Sequence, residues 1–277
     1  MKHIYLLTVF FLLIGCRPEL TLNEEPFTRH IVVEGSIEND RHPIVYLTYN
    51  GPFFATIDKE ELINRTIRHA KVTVSDGEEE EVLTGHYRDE YPFFVYRGHT
   101  LKGVSGKNYL LTIQCDDYTI TAHTTIPPVV PLTSHYMVSR NDTLNQLHIC
   151  FNHRPTPPIA NYKVFTYIPE LNRSYIPTLS VINLQHQKEG AVDLPVLKGF
   201  DKTGRDSIDL FFHKNDPVYL KFCTIDSSSN EFWQSFNNEN LSDLNLFTGS
   251  ATQLKSNVSS PAVGIWCGYG SSYYRVQ

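Results

Sequence analysis

The chain has 277 residues, with 24 Lys and Arg against 30 Asp and Glu, for a formal charge of −6. That mild acidity argues against nucleic acid, or an anionic membrane surface, as the main partner. Sixteen Tyr, sixteen Phe and sixteen Pro, with two Met, favour strands and turns over helices.

Lys2 opens the chain with a positive charge, and residues 4–14 (IYLLTVFFLLI) form an apolar run broken only by Thr8. A helix that crosses a bilayer takes roughly 20 apolar residues, so residues 1–15 read as a signal peptide. The run ends in Leu13-Ile14-Gly15-Cys16. That ending resembles the lipobox of bacterial lipoproteins, whose cysteine thiol receives a diacylglycerol. Lipidation at Cys16 is therefore expected, and two or more acyl chains hold far more firmly than one. Residues 16–28 become a lipidated tether, and removal of Lys2 with the leader takes the charge to −7. No later segment reaches membrane-spanning length. Glu19, Glu24 and Glu25 loosely resemble the surface-export signal of Bacteroidetes lipoproteins, which leaves both faces of the outer membrane open.

From residue 29 onward, short β-like runs alternate with turn signals. Ile31 to Ile37, Ile44 to Tyr49 and Val72 to Ser75 are the first, the last of them closed by an Asp76-Gly77 turn. Between them, residues 58–68 (DKEELINRTIR) predict one short, surface-lying helix. Glu78 to Glu81 lack the alternate spacing and internal glycine of a calcium loop and read as a solvated tip. Residues 109–114 and 118–125 predict a hairpin around Asp116-Asp117. Ile126-Pro127-Pro128-Val129-Val130-Pro131 then forms a stiff extended boundary. Residues 29–126 thus predict an immunoglobulin-like β-sandwich, and residues 127–277 a second β-rich domain.

In that second part, residues 147–151, 162–168, 207–212 and 218–225 are strand-like, and residues 183–205 read as a long loop. Ser227-Ser228-Ser229-Asn230 offers caps for a helix that places Phe232, Trp233 and Phe236 on one side, packed on a sheet. Residues 264–270 read as a final strand near the core. Cys115, Cys150, Cys223 and Cys267 allow two disulfides in three pairings, or serve as small buried hydrophobes, which is the expectation.

The order of these pieces resembles a Bacteroidetes lipoprotein family known as domain of unknown function 4249. The residues that carry the resemblance begin with Val32-Val33-Glu34-Gly35, Asn50-Gly51-Pro52-Phe53-Phe54 and Ala70-Lys71-Val72-Thr73-Val74-Ser75-Asp76-Gly77. Gly106-Lys107-Asn108-Tyr109-Leu110-Leu111 and Thr124-Thr125-Ile126-Pro127-Pro128 follow. Phe232-Trp233, Ser256-Asn257-Val258 and Gly264-Ile265-Trp266-Cys267-Gly268-Tyr269 complete the set. The chain departs from the pattern at Ser259-Ser260-Pro261-Ala262, where the family is richer in glycine. Members look like partners of TonB-dependent outer-membrane transporters, so the resemblance implies an accessory role and supplies no catalytic residues.

Signals for chemistry are few. Twelve histidines are scattered without ligand spacing, and no nucleophile elbow, P-loop or dinucleotide fingerprint is present. On a strand, His148 and Cys150 share a face while His153 points the other way. Gly264-x-x-x-Gly268-x-Gly270 opens no helix, so it is not read as a phosphate cradle. The sequons at Asn64, Asn141, Asn172, Asn240 and Asn257 are expected to go unused behind a bacterial leader. No catalytic residue, metal or cofactor is expected. The candidate partner-binding residues are rings beside turns, able to grip a protein or stack on sugars, or else to plug the ends of the sandwiches: Phe53, Phe54, Tyr91, Phe93, Phe94, Tyr273 and Tyr274. The leading expectation is a non-enzymatic outer-membrane lipoprotein that docks on, or delivers a small-molecule or glycan ligand to, a β-barrel transporter. The alternative is a structural or adhesive surface protein.

Overall fold

The computed structural model describes residues 28–51, 58–154, 161–199, 210–242 and 254–277. Cys16 and residues 17–27 of the tether, and the rings of Phe53 and Phe54, lie outside the described residues. Among those described, no helix is long and apolar enough to cross a membrane.

The protein is mainly β. Its first lobe contributes β1 (Ile31–Glu38), β2 (Ile44–Tyr49), the helix α1 (Lys59–Arg65), β3 (Lys71–Ser75), β4 (Glu80–Val82), β5 (Thr84–Tyr87), β6 (Phe94–Arg97), β7 (Asn108–Cys115) and β8 (Tyr118–Thr125). The second contributes β9 (Leu132–Ser139), β10 (Leu144–His153), β11 (Asn161–Tyr167), β12 (Ile176–Asn183), β13 (Gly190–Val196), β14 (Phe212–His213) and β15 (Tyr219–Ile225). The helix α2 (Ser227–Ser242) and the long strand β16 (Val263–Arg275) follow.

An eight-stranded sheet in the order β12-β11-β15-β16-β1-β2-β6-β5 forms the spine. Along each strand, alternate side chains leave by opposite faces, and both faces are used. Val33 and Ile37 of β1 and Trp266 of β16 meet Val72, Val74, Leu111, Ile113 and Ile120 of the β4-β3-β7-β8 sheet in one core. Tyr162, Val164, Leu220 and Phe222, which alternate in the same sense, meet Leu147, Ile149 and Phe151 of β10 in a second core. The opposite face carries Phe165, Cys223, Ile225, Ile265, Cys267 and Tyr269, and there Phe232 and Trp233 of α2 lie over them.

Strand β16 serves both lobes. Val263 to Tyr269 pair in parallel with Val32 to Glu38, and Gly270 to Arg275 pair antiparallel with Thr224 to Tyr219. Residues 126–131, expected as a boundary, lie between β8 and β9, and the first core also takes Val258, Ala262 and Trp266 from the far end of the chain. The connecting segment passes directly over β16. A Cβ on Gly268 would lie 2.4 Å from the Thr125 carbonyl oxygen, and one on Gly270 would lie 2.4 Å from that of Pro127. The glycine spacing of the tail thus leaves room for a crossing chain.

Local chemistry accounts for the turns. Asp76 accepts hydrogen bonds from the backbone amides of Glu78 and Glu79, with Gly77 at φ +91°. Lys107 reaches Asp76 (2.7 Å) and Glu78 (2.9 Å) and, with those amides, holds the Asp76 carboxyl down at about 2. Glu81 accepts the amides of His99, Thr100 and Leu101, so the acidic run fastens loops. Helix α1 is capped by Asp58 and buries no residue, as expected of a surface helix.

Two expectations need correction. Helix α2 is capped by Asp226 rather than by the serines: its Oδ1 accepts the Ser229 amide at 2.8 Å, while Oδ2 accepts Thr124 Oγ1 at 2.9 Å. The residues read as a loop over 183–205 include β13, which pairs with β10. Of the strand expected over residues 207–212, residues 207–209 lie outside the described residues, and Phe212 falls in the two-residue β14.

Candidate functional site

The two lobes bring together the hairpin loop after β5 (residues 88–93) and the loop between β11 and β12 (residues 168–175). They border a cleft of about 650 Å³, lined by Arg88, Glu90, Tyr91, Asn172 and Arg173 among others. Arg88 closes its own loop, its amide donating to the Phe93 carbonyl at 2.9 Å and its guanidinium to the Pro92 carbonyl at 3.1 Å. On the facing side, Asn172 Oδ1 accepts the Ile168 amide at 3.2 Å, and the Asn172 amide returns to the Ile168 carbonyl at 2.8 Å. Arg173 and Glu90 form an ion pair across the cleft. The site therefore offers cationic, anionic, amide and aromatic groups on two loops fixed by their own hydrogen bonds, a surface suited to a polar ligand or a protein loop.

The candidate rings separate into two groups. Tyr91 is 44% exposed at the cleft, 6.1 Å from the half-buried Phe93. Tyr273 is also exposed, with the Arg41 guanidinium 4.5 Å above its ring and its hydroxyl donating to Glu38. Two of the expected surface rings are structural. Phe94 is buried at 7% exposure between Tyr87 and Tyr96. Tyr274 packs on the second core and accepts the Leu132 amide at 2.7 Å.

Beneath α2 lies a charged layer that sequence reasoning missed. Lys221 Nζ sits 2.6 Å from Glu38 Oε1 and faces the rings of Phe165 and Tyr269. Burial opposes both charges, yet the pairing prevails: Glu38 titrates below the ordinary carboxylate range, and Lys221, flanked by Cys223 and Glu38, above the ordinary amine range. Lys163, fully buried, donates to the Thr178 carbonyl at 2.5 Å and lies 4.6 Å from the Trp233 ring centre. Burial pushes its amine down to about 7. Burial likewise raises the Cys223 thiol to about 12. An enclosed, protonated thiol is a packing group, not a nucleophile. The sequence signal was a single lysine at an inward position of each apolar run, YKVFTY and YLKFCTI.

The faces expected for β10 are the ones observed. His148 points outward with Cys150, while His153 is buried and meets the Tyr162 hydroxyl at 2.9 Å. His148 Nδ1 lies 2.9 Å from Asp193 Oδ1, and the Tyr136 hydroxyl donates to Asp193 Oδ2 at 2.5 Å. Asp193 belongs to β13 and Tyr136 to β9, so this cluster exists only once the sheet is assembled. All four described cysteines are free thiols, with Cys115, Cys223 and Cys267 buried as the small-hydrophobe reading expected.

Comparison with known proteins adds a family. No curated protein matches the chain. Among solved structures, the chicken CNTN1 FN1-FN3 domains are similar at 8% identity, over 72% of this chain and 60% of that one, with a TM-score of 0.26. The chain thus spans 60% of the length of that structure. A family model described as a domain of unknown function (DUF4249) matches residues 17–275, and the chain belongs to that family.

Proposed function

We propose that this chain is a non-enzymatic lipoprotein of the bacterial outer membrane. It is anchored through acylated Cys16 and serves as an accessory or ligand-delivery partner of a TonB-dependent transporter. The cleft between residues 88–93 and 168–175 is its docking surface. The observation that carries this reading is the exposed Tyr91 beside the Arg173–Glu90 pair, a ring and charges presented together on braced loops. Exposed tyrosine with arginine is the composition of binding hot spots. The lipobox at Leu13-Ile14-Gly15-Cys16 supports the anchor.

The test is purification of the intact lipoprotein from native outer membranes in mild detergent, followed by identification of what accompanies it. A stoichiometric β-barrel transporter, lost on Tyr91→Ala, supports the reading. Recovery of the protein alone, where a known transporter complex survives, overturns it and favours an adhesive or structural role.

A further inference from the structure

A second cluster of donors shares no residue with the cleft. His69, in the segment between α1 and β3, faces the end of β7 and its two-residue turn. Its Nε2 lies 3.1 Å from Asp116 Oδ1 and 3.7 Å from Cys115 Sγ, and Cys115 Sγ lies 3.7 Å from Asp116 Oδ2. One ligand atom from each residue can be chosen so that all three lie within 4.8 Å of one another. Tetrahedral zinc, with bonds of about 2.3 Å to sulfur and about 2.0–2.1 Å to nitrogen and oxygen, separates its ligand atoms by about 3.3–3.6 Å. The histidine–sulfur separation is already near that value, while the two short aspartate distances run to different oxygens, so a carboxylate rotation and a shift of at most about 1 Å would bring one donor atom from each residue to the vertices of a coordination tetrahedron.

The surroundings support the arrangement. Asp116 sits in the left-handed region at φ +51°, which aspartate tolerates, at the start of the turn joining Cys115 to Tyr118. The Tyr49 hydroxyl donates to Asp116 Oδ2 at 3.3 Å, and the Arg29 guanidinium lies 3.6 Å above the Tyr49 ring. Hydrogen bonds of that kind orient carboxylate ligands at metal sites. Cys115 is buried, whereas the His69 and Asp116 side chains are 57% and 53% exposed. An ion can therefore enter from solvent and rest on a buried sulfur. Thiolate, imidazole and carboxylate together suit zinc or cobalt and disfavour magnesium and calcium, which seek oxygen alone.

We propose that His69, Cys115 and Asp116 form a three-ligand site for a zinc-class divalent ion, with a fourth position open to water or to a donor from a partner. Binding replaces the Cys115 thiol proton, which passes to solvent, with a sulfur–metal bond.

The test uses the purified, untagged protein under reducing conditions, titrated with cobalt(II) and then with zinc(II). One equivalent of cobalt should give a sulfur-to-cobalt charge-transfer absorption that zinc abolishes. Cys115→Ser should remove that absorption. His69→Ala, a change at an exposed position, should weaken zinc by more than the roughly 10–100-fold that loss of an outer-shell partner costs. Cys150→Ser, beside His148 and Asp193, should change neither. The proposal is overturned if cobalt gives no charge-transfer band, if His69→Ala binds zinc as the parent does, or if Cys150→Ser abolishes the band.

Discussion

Lys221 on β15 and Glu38 on β1 meet at 2.6 Å although β16 runs between their strands. Their side chains are 9% and 13% exposed, so each charge leans on the other, Lys221 the more so because Glu38 also accepts from the Tyr273 hydroxyl. Removing one partner of such a pair costs about 3–5 kcal/mol, because the survivor is left buried and uncompensated. Glu38→Gln and Lys221→Met should each lower stability by that order in denaturant unfolding, and the double variant should recover most of the loss. Additive losses would show that the two residues act independently.

Lys163 predicts a pH dependence of unusual sign. Its folded-state pKa is depressed from 10.5 to about 7, so between those values the unfolded chain holds a proton that the folded chain lacks. Stability should therefore rise with pH across that window, by about 1.4 kcal/mol per pH unit from this group alone. Below pH 7 the full penalty applies; above pH 10.5 it vanishes. Lys163→Met should stabilise the protein more at pH 6 than near pH 11, the difference reaching roughly 5 kcal/mol, about 1.4 kcal/mol for each pH unit between 7 and 10.5. Unfolding curves at three pH values decide, and a gap between parent and variant that is the same at pH 6 and pH 11 would refute the assignment.

Gly268→Ala tests the crossing of the connecting segment over β16. The added methyl would meet the Thr125 carbonyl carbon and oxygen, atoms that cannot rotate away as a side chain would. A loss of at least about 1–3 kcal/mol is expected, the usual cost of overpacking. An unchanged melting temperature would mean that the segment yields freely.

At the cleft, stability and binding should separate. Tyr91 and Arg173 are exposed, and a surface ion pair such as Arg173–Glu90 contributes at most about 1 kcal/mol. Tyr91→Ala and Arg173→Ala should leave the melting temperature nearly unchanged. On the proposed docking role, each should reduce co-purification of a β-barrel transporter with the protein.

What could be read from the sequence was whatever local rules decide. The Asp76-Gly77 turn, the hairpin around Asp116-Asp117 and the capped, unburied α1 follow from short-range preferences, and all three are present. Edge strands were harder. β9 (LTSHYMVS), β12 (IPTLSVIN) and β13 (GAVDLPV) carry polar residues or proline and were not read as strands. Each pairs with one neighbour alone, β9 and β13 with β10 and β12 with β11, and that pairing makes them strands. Position beside a turn leaves open whether a ring faces solvent or plugs the sandwich, and tertiary packing decides it: Phe94 is buried and Tyr274 is partly buried against the second core.

The sites were less legible still. His69 and Cys115 are 46 positions apart, and only the β3–β7 pairing sets them side by side. The Glu38–Lys221 pair spans 183 positions. Spacing rules see ligands carried by one element, and these are carried by two or three.

Strand β16 also bears on the order in which the protein can be finished. A chain delivered N-terminus first presents β1 with β2 on one side and an open edge on the other, and later presents β15 beside β11 in the same condition. Both vacancies are filled by residues 263–275. The inner edges of β1 and β15 both stay uncovered until these residues are in place, so the two lobes are completed in a single late step. Exposed edges of that kind invite pairing with other chains. Holding the chain apart from its neighbours until that step is therefore a requirement built into the topology.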